Sequence, residues 1–253
     1  MKNPLRLAVV LAAVLLLTSC SSSDVAAEGD SNTTSIPVEK AVTVESLPFN
    51  ASGLLGGTAQ PNFPDGEASE VSVVQVGPLD RDSGSLIFAF RNNTSDGISH
   101  VDWSATARTG GSIVATGSSQ GTIPDQVQPG EVGLAYIYFD NSAAVADGAE
   151  FEFTVNSSPV DTSSYNTAPF KVTEVNLVGD SIVGAATNET GAEATGPYSV
   201  GIYCFDGDNL ISQFTDFAEQ DGDISDGGSV TFSAPLYGAD CPSFALGVGG
   251  YFS

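Results

Sequence analysis

Ser85–Arg91 reads SLIFAFR and Val101–Ala107 reads VDWSATA, and both stretches have the two-residue period of β-strands. Leu86, Phe88 and Phe90 share one face of the first, while apolar and polar residues alternate along the second. Similar short segments, separated by Gly, Asn, Asp and Pro, continue to the end of the chain, and no segment shows a helical stripe. We therefore predict an all-β fold.

The second half of the chain repeats the first at a spacing of about 96 residues. The turn at Asn92–Gly97 matches Asn188–Glu193, and each turn follows an apolar strand. Two units of about 85 residues, each with six or seven short strands, fit an immunoglobulin-like sandwich. We predict two tandem immunoglobulin-like β-sandwich domains, at residues 68–160 and 168–253. Chance similarity between two β-rich stretches is the alternative.

The first twenty residues have the organisation of an export signal. Two basic residues precede an unbroken apolar run, Leu7–Leu17, which is shorter than the roughly 20 residues that a membrane span needs. Leu17-Thr18-Ser19-Cys20 resembles a lipobox, the processing site of bacterial lipoproteins. The resemblance implies a signal peptide at residues 1–19, acylation of Cys20, and a lipid anchor on the extracytoplasmic face of the cell membrane. An ordinary secretory signal is the alternative.

Residues 20–67 are rich in Ser, Thr, Gly, Asn, Ala and Pro, with scattered apolar residues. This composition predicts a lipidated flexible tether between the anchor and the first sandwich. The apolar stretch Ala41–Val44 leaves open that part of this segment adds a strand to the body.

Strong acidity restricts the classes of partner. After Cys20 the chain carries 31 acidic and five basic residues, a formal charge of −26. Phosphate binding needs clusters of Lys and Arg, so we expect no nucleic-acid partner. Docking on anionic lipid by a basic patch is excluded on the same ground, which leaves the acyl group as the membrane anchor.

Two cysteines remain beyond Cys20, namely Cys204 and Cys241. In an exported chain, a pair of this kind favours a disulfide. A metal site would need further ligands, and the only histidine, His100, is distant in sequence. The first domain has no cysteine, so we expect it to unfold first on heating.

The repeat resembles the FxLYD-type domains of bacterial and archaeal envelope lipoproteins. The similarity lies in the polar turn after an early strand, in Ile202–Asp206 (IYCFD) near the end of a central strand, and in a Gly-containing turn before a late strand. In the first repeat, Ala107–Gly110 lacks both the Tyr and the Asp of that motif. The resemblance implies a β-sandwich at the cell envelope without known catalysis.

Two acidic clusters are weak candidates for Ca²⁺ ligands. They are Asp206, Asp208 and Asn209 in one turn, and Asp221, Asp223 and Asp226 in another. Calcium takes several oxygen ligands from such loops, but neither cluster has the final Glu of a helix-loop-helix site. The same residues favour turns for backbone reasons, and we expect that role and no cofactor.

No nucleophile elbow, phosphate loop or zinc-ligand pair is present in the sequence. Trp103 has the register of a core residue, whereas Tyr136 and Tyr138 share one strand face and Phe139 takes the other. We therefore expect a non-catalytic binding or structural envelope module whose partner is an envelope protein or a glycan. The alternatives are a calcium-stabilised adhesion or carbohydrate-binding protein and a carboxylate-dependent secreted hydrolase.

Overall fold

The computed structural model describes residues 44–253, which contain strands and one short 3₁₀ turn, Ser142–Ala144, but no α-helix. The prediction of an all-β fold is confirmed. The strands are β1 (Gly56–Gly57), β2 (Val71–Asp80), β3 (Ser85–Asn92), β4 (Ile98–Thr109), β5 (Ser112–Ile123), β6 (Gln126–Val127), β7 (Val132–Phe139), β8 (Glu150–Pro159), β9 (Thr167–Val178), β10 (Ser181–Thr187), β11 (Ala194–Asp206), β12 (Asn209–Phe217), β13 (Ser229–Pro235) and β14 (Ser243–Phe252). No helix in this part of the chain is long and apolar enough to cross a membrane.

The strands form two curled antiparallel sheets that enclose two sandwich-like cores, as predicted. The first sheet runs β2-β3-β7-β5-β4, and both β6 and β8 pair with β4. The second runs β12-β11-β14-β9-β10-β13, and β1 pairs with β14. The two halves of each curled sheet are joined by a different pair of strands. In the first sheet β5 pairs with β7, whereas in the second β14 pairs with β9.

The sequence repeat corresponds to a repeated hydrogen-bond network. The Asn92 amide donates to the carbonyls of Asp96 and Val127, and its Oδ1 accepts from the Thr94 backbone and hydroxyl. In the second sandwich, Asn188 makes the same four bonds, with Ala192, Ile224 and Thr190 as partners. Both asparagines are fully buried, at 0% exposure. An Asn-x-Thr turn therefore ties two loops together in each sandwich.

Strands at the junction bury both faces. Along β3, Leu86, Phe88 and Phe90 enter the first core, while Ile87 and Ala89 point out of it into a third core. This shared core lies between the two sandwiches. Its buried residues are Leu55, Ala59, Phe63, Ile87, Ala89, Ile123, Val132, Leu134, Tyr203, Phe205, Leu210 and Ala245.

Ile123 makes a close contact across the junction. It lies against Gly201 and Gly247, which are register partners on β11 and β14. A Cβ atom added to either glycine would lie 2.7 Å from Ile123. The two paired glycines thus leave space for the Ile123 side chain, and a side chain at either position would fill that space. The described residues, 44–253, accordingly belong to one compact unit.

The strap, residues 44–67, differs from the predicted flexible tether. Leu55 and Phe63 are buried in the shared core, and the Phe49 ring lies 5.7 Å from Phe63 and 6.2 Å from Phe205. The few apolar residues of this polar stretch fill a gap between the sandwiches. The composition of the segment alone does not indicate that such a gap exists. Of the segment Ala41–Val44, only Val44 is described, and it is not in a strand. The strand that this region adds is β1.

Candidate functional site: a cleft along the junction

Two adjoining pockets open where the outer faces of the sandwiches diverge beyond the shared core. One has a volume of about 360 Å³ and the other about 540 Å³. Both are lined by residues of both sandwiches, and they have in common Asp80, Ser83, Ser85, Gln213 and Phe214. A third pocket of about 350 Å³ shares Gln120 with the second. Together they form the junction cleft.

The wall from the first sandwich is built by β7. Ala135, Ile137 and Phe139 point into the first core, so Tyr136 and Tyr138 lie on the outer face, as their spacing predicts. Leu134 lies on that outer face too, but the shared core covers it. Tyr138 lies beyond this cover and is 44% exposed. The cleft therefore begins where the second sandwich stops covering this face.

The wall from the second sandwich is β12. Gln213 is paired with the buried Tyr203 in the sheet register, and its amide donates to the Thr215 hydroxyl. Ser212 points the other way, and its buried Oγ has no hydrogen-bond partner among the described residues. Phe214 packs against the second core and also lines the cleft.

The third pocket is the most polar part of the cleft. Its lining residues are His100, Val101, Asp102, Ser119, Gln120, Gly121, Thr122, Asp125, Thr167 and Tyr251. The Asp125 carboxyl abuts Gly249, and desolvation by burial raises its pKa to about 7. The Thr122 hydroxyl is buried without a hydrogen-bond partner in the described chain. A carboxyl with a raised pKa and a residue whose hydroxyl has no partner in the described chain thus line the same pocket.

Charge in the cleft is low. Its lining contains no Lys or Arg among residues 44–253. The Asp80 carboxylate is bound within its own turn by the backbone of Asp82 and by the Ser83 hydroxyl, and the Ser83 bond is the main reason its pKa is lowered. The polar groups that face the space are therefore mostly amides and hydroxyls.

The two acidic clusters do not meet. Asp206, Asp208 and Asn209 form the turn between β11 and β12, and Asp208 Oδ1 accepts from the Asn62 backbone at 3.1 Å. The segment with Asp221, Asp223 and Asp226 lies beside Ala194, at the opposite end of β11, roughly 30 to 40 Å away. Asp226 Oδ1 accepts from the Gly191 backbone. No group of three potential metal ligands occurs within the described part of the chain.

Cys204 and Cys241 form a disulfide, with their Cα atoms 5.0 Å apart, which confirms that prediction. The bond ties β11 to the loop before β14 inside the second core. Cys20 lies outside the described residues, so its acylation stays a prediction. Trp103 is buried in the first core, as predicted, whereas Phe217 and Tyr237 are exposed outside the cleft lining.

No protein-family model matches the chain, and comparison with curated proteins finds no significant similarity. The lipobox and FxLYD-type resemblances therefore stay predictions.

Several residues of the cleft were not predicted from the sequence. Gln120 and Gln213, which are 93 residues apart in sequence, line one cleft only because the two sandwiches pack side by side, and Gln120 and Asp125 line the adjoining pocket. Asp125 carries one local signal, since it follows a proline directly after the apolar end of a strand. That signal is typical of any turn, so it does not distinguish a site.

Proposed function

We propose that the protein is a lipid-anchored extracytoplasmic module that binds an envelope component without transforming it. The observation that carries the proposal is the preformed junction cleft, which combines the exposed ring of Tyr138 and the half-buried ring of Tyr136 with amides and hydroxyls. Open clefts of mixed apolar and polar lining are typical ligand sites. The shared core holds both walls, so a ligand meets a surface that is already ordered.

Anchoring rests on the sequence Leu17–Cys20 and is tested separately from binding. Replacing Cys20 by Ser should abolish acyl labelling and release the exported protein from the membrane fraction. Membrane retention without label in the C20S variant would contradict the lipid anchor.

The released C20S protein also tests the binding function. It should be retained on washed envelopes of the producing cells, and adding Tyr138→Ala should reduce that retention. Tyr165→Ala is the matched control, because Tyr165 is 77% exposed and lies outside the cleft lining. Equal retention of the two variants would show that the cleft is not the binding surface.

A non-catalytic role is favoured by the state of the cleft carboxyls. Glycosidases use two carboxyl groups a few ångströms apart on either side of the bond that they cleave. Where the tyrosines line the cleft, the one carboxylate is that of Asp80, and it is bound within its own turn, whereas Asp102 and Asp125 lie in the third pocket. We therefore propose binding rather than hydrolysis.

A further inference from the structure

We propose that the junction cleft binds a segment of neutral polysaccharide, with Tyr136 and Tyr138 as the stacking surface and Gln120 and Gln213 as hydrogen-bonding groups. The inference rests on the proposed binding function and names its ligand class. Three properties of the cleft lead to it: the placement of its rings, the type of its polar groups and the absence of positive charge.

The rings are placed for stacking. Tyr136 and Tyr138 are two residues apart on β7 and therefore lie on one face of the strand. The C–H face of a sugar ring is apolar, so it packs on an aromatic ring, while its rim of hydroxyls stays available for hydrogen bonds. Tyr138 is 44% exposed, and the half-buried Tyr136 lines the cleft beside it while packing against the shared core, so a sugar unit can stack on Tyr138 and the chain can continue along Tyr136.

The polar groups are of the type that recognises hydroxyls. A carboxamide offers an acceptor and two donors, so Gln120 and Gln213 match groups that both donate and accept. Ser83, Ser119 and Thr215 line the same cleft with hydroxyl groups, which also both donate and accept.

The charge of the cleft selects against ionic polymers. An anionic polysaccharide would meet three carboxyl groups, those of Asp80, Asp102 and Asp125, and no Lys or Arg in the described lining. Where the tyrosines line the cleft, a cationic polymer would find only the Asp80 carboxylate, which is already bound within its turn. The neutral amide and hydroxyl groups of that part of the cleft therefore determine which ligand fits.

Native affinity electrophoresis tests the proposal on the C20S protein. The probes are the neutral polysaccharide fraction of the producing cells' envelope, a mixed-linkage glucan, a galactomannan, the anionic alginate and the cationic chitosan. We expect a neutral probe to retard the protein, and Tyr138→Ala and Gln213→Ala each to weaken binding roughly tenfold. Tyr165→Ala should migrate like the parent protein.

Far-ultraviolet circular dichroism shows whether each variant remains folded. Should Tyr138→Ala fail to fold, Gln213→Ala measures the same surface from the exposed edge strand β12. No retardation by any neutral probe, or retardation that both folded variants retain, would overturn the proposal. Binding to chitosan alone would overturn the ligand class and leave the binding module standing. Loss of envelope retention altogether would remove the proposed function itself.

Discussion

In the first repeat, Arg91 and Asn93 flank the buried Asn92, whereas Thr187 and Glu189 flank Asn188 in the second. Arg91 is 3% exposed and donates to the carbonyls of Leu47, Phe63, Pro64 and Gly130. The amide of Asn93 donates to the carbonyls of Asp65 and Glu67. The second repeat has surface contacts at these places, since Thr187 meets Ser229, and Glu189 pairs with Lys171 at 3.0 Å.

The turn stabilises the fold in both sandwiches, and in the first sandwich it also holds the strap. The Asn-x-Thr network is the same in both sandwiches, so it belongs to the fold. The flanking residues differ, and they determine whether the turn also holds the strap. Burial lowers the pKa of Arg91, and the nearby Asp65 carboxylate opposes that change. A buried cation bonded to neutral carbonyls is costly to disturb, because its removal leaves several acceptors unpaired.

The largest effect is expected at Arg91. Arg91→Met should lower the free energy of unfolding by about 3 to 5 kcal/mol, because the strap carbonyls lose charged donors. Thr187→Val, at the matching position, should cost less than about 1 kcal/mol. Guanidinium unfolding measures both, and limited proteolysis should cut the strap only in Arg91→Met. Equal costs at the two positions would contradict the conclusion that only the turn of the first repeat holds the strap.

The disulfide gives the second test, since only the second sandwich has one. Its 37-residue separation predicts that replacing both cysteines by Ala costs about 3 to 4 kcal/mol in the chain-entropy model. Sequence alone led us to expect the first domain to unfold first. With a shared core, we instead expect calorimetry to show one transition, which moves as a whole in the variant. Two separate transitions would show that the sandwiches unfold independently.

The shared network predicts matched losses. Asn92→Ala and Asn188→Ala each remove four equivalent hydrogen bonds from a buried site, so each should cost about 2 to 3 kcal/mol. Chemical unfolding of both variants should give values within about 0.5 kcal/mol of one another. A clearly larger cost at Asn92 would mean that the strap also depends on this turn.

The smallest effect concerns pH. Asp125 has a pKa of about 7 in the fold against an ordinary value of 3.8, so between those values the folded chain keeps a proton that the unfolded chain loses. Stability therefore falls as pH rises from about 4 to 7 and stays level above. Because the side chain remains partly exposed, we expect a contribution of about 1 to 2 kcal/mol.

Asp125→Asn should remove this part of the pH dependence in unfolding measurements from pH 4 to 8. The second repeat has Gly222 at the matching place, so Gly222→Asn serves as a control that should leave the profile unchanged. An unchanged slope in Asp125→Asn would mean that its carboxyl titrates in the ordinary range.

The local sequence pattern predicted those features of the fold that depend on residues near one another in sequence. Strand alternation placed Trp103 in the first core and put Tyr136 and Tyr138 on one strand face with Phe139 on the other, and the cysteine count predicted the disulfide. The shared core was not predicted, although the unbroken apolar run Leu86–Phe90 is typical of a strand that is buried on both faces. Nothing in the sequence indicated that Arg91 is buried against the strap, because one basic residue at a strand end is ordinarily solvated.

The path of the strap determines how a mechanical load would enter the molecule. From Val44 it binds Gly130 through Leu47, pairs with β14 at Gly56–Gly57, and returns to Arg91 at Phe63. Tension applied at Val44 therefore reaches the Leu47 hydrogen bonds with Gly130 and Arg91 before it reaches β1, the strand that the strap adds to the second sheet. Peeling residues 47–63 away would release up to roughly 60 Å of extended chain. The shared core beneath the cleft would lose Leu55 and then Phe63 as that length is drawn out.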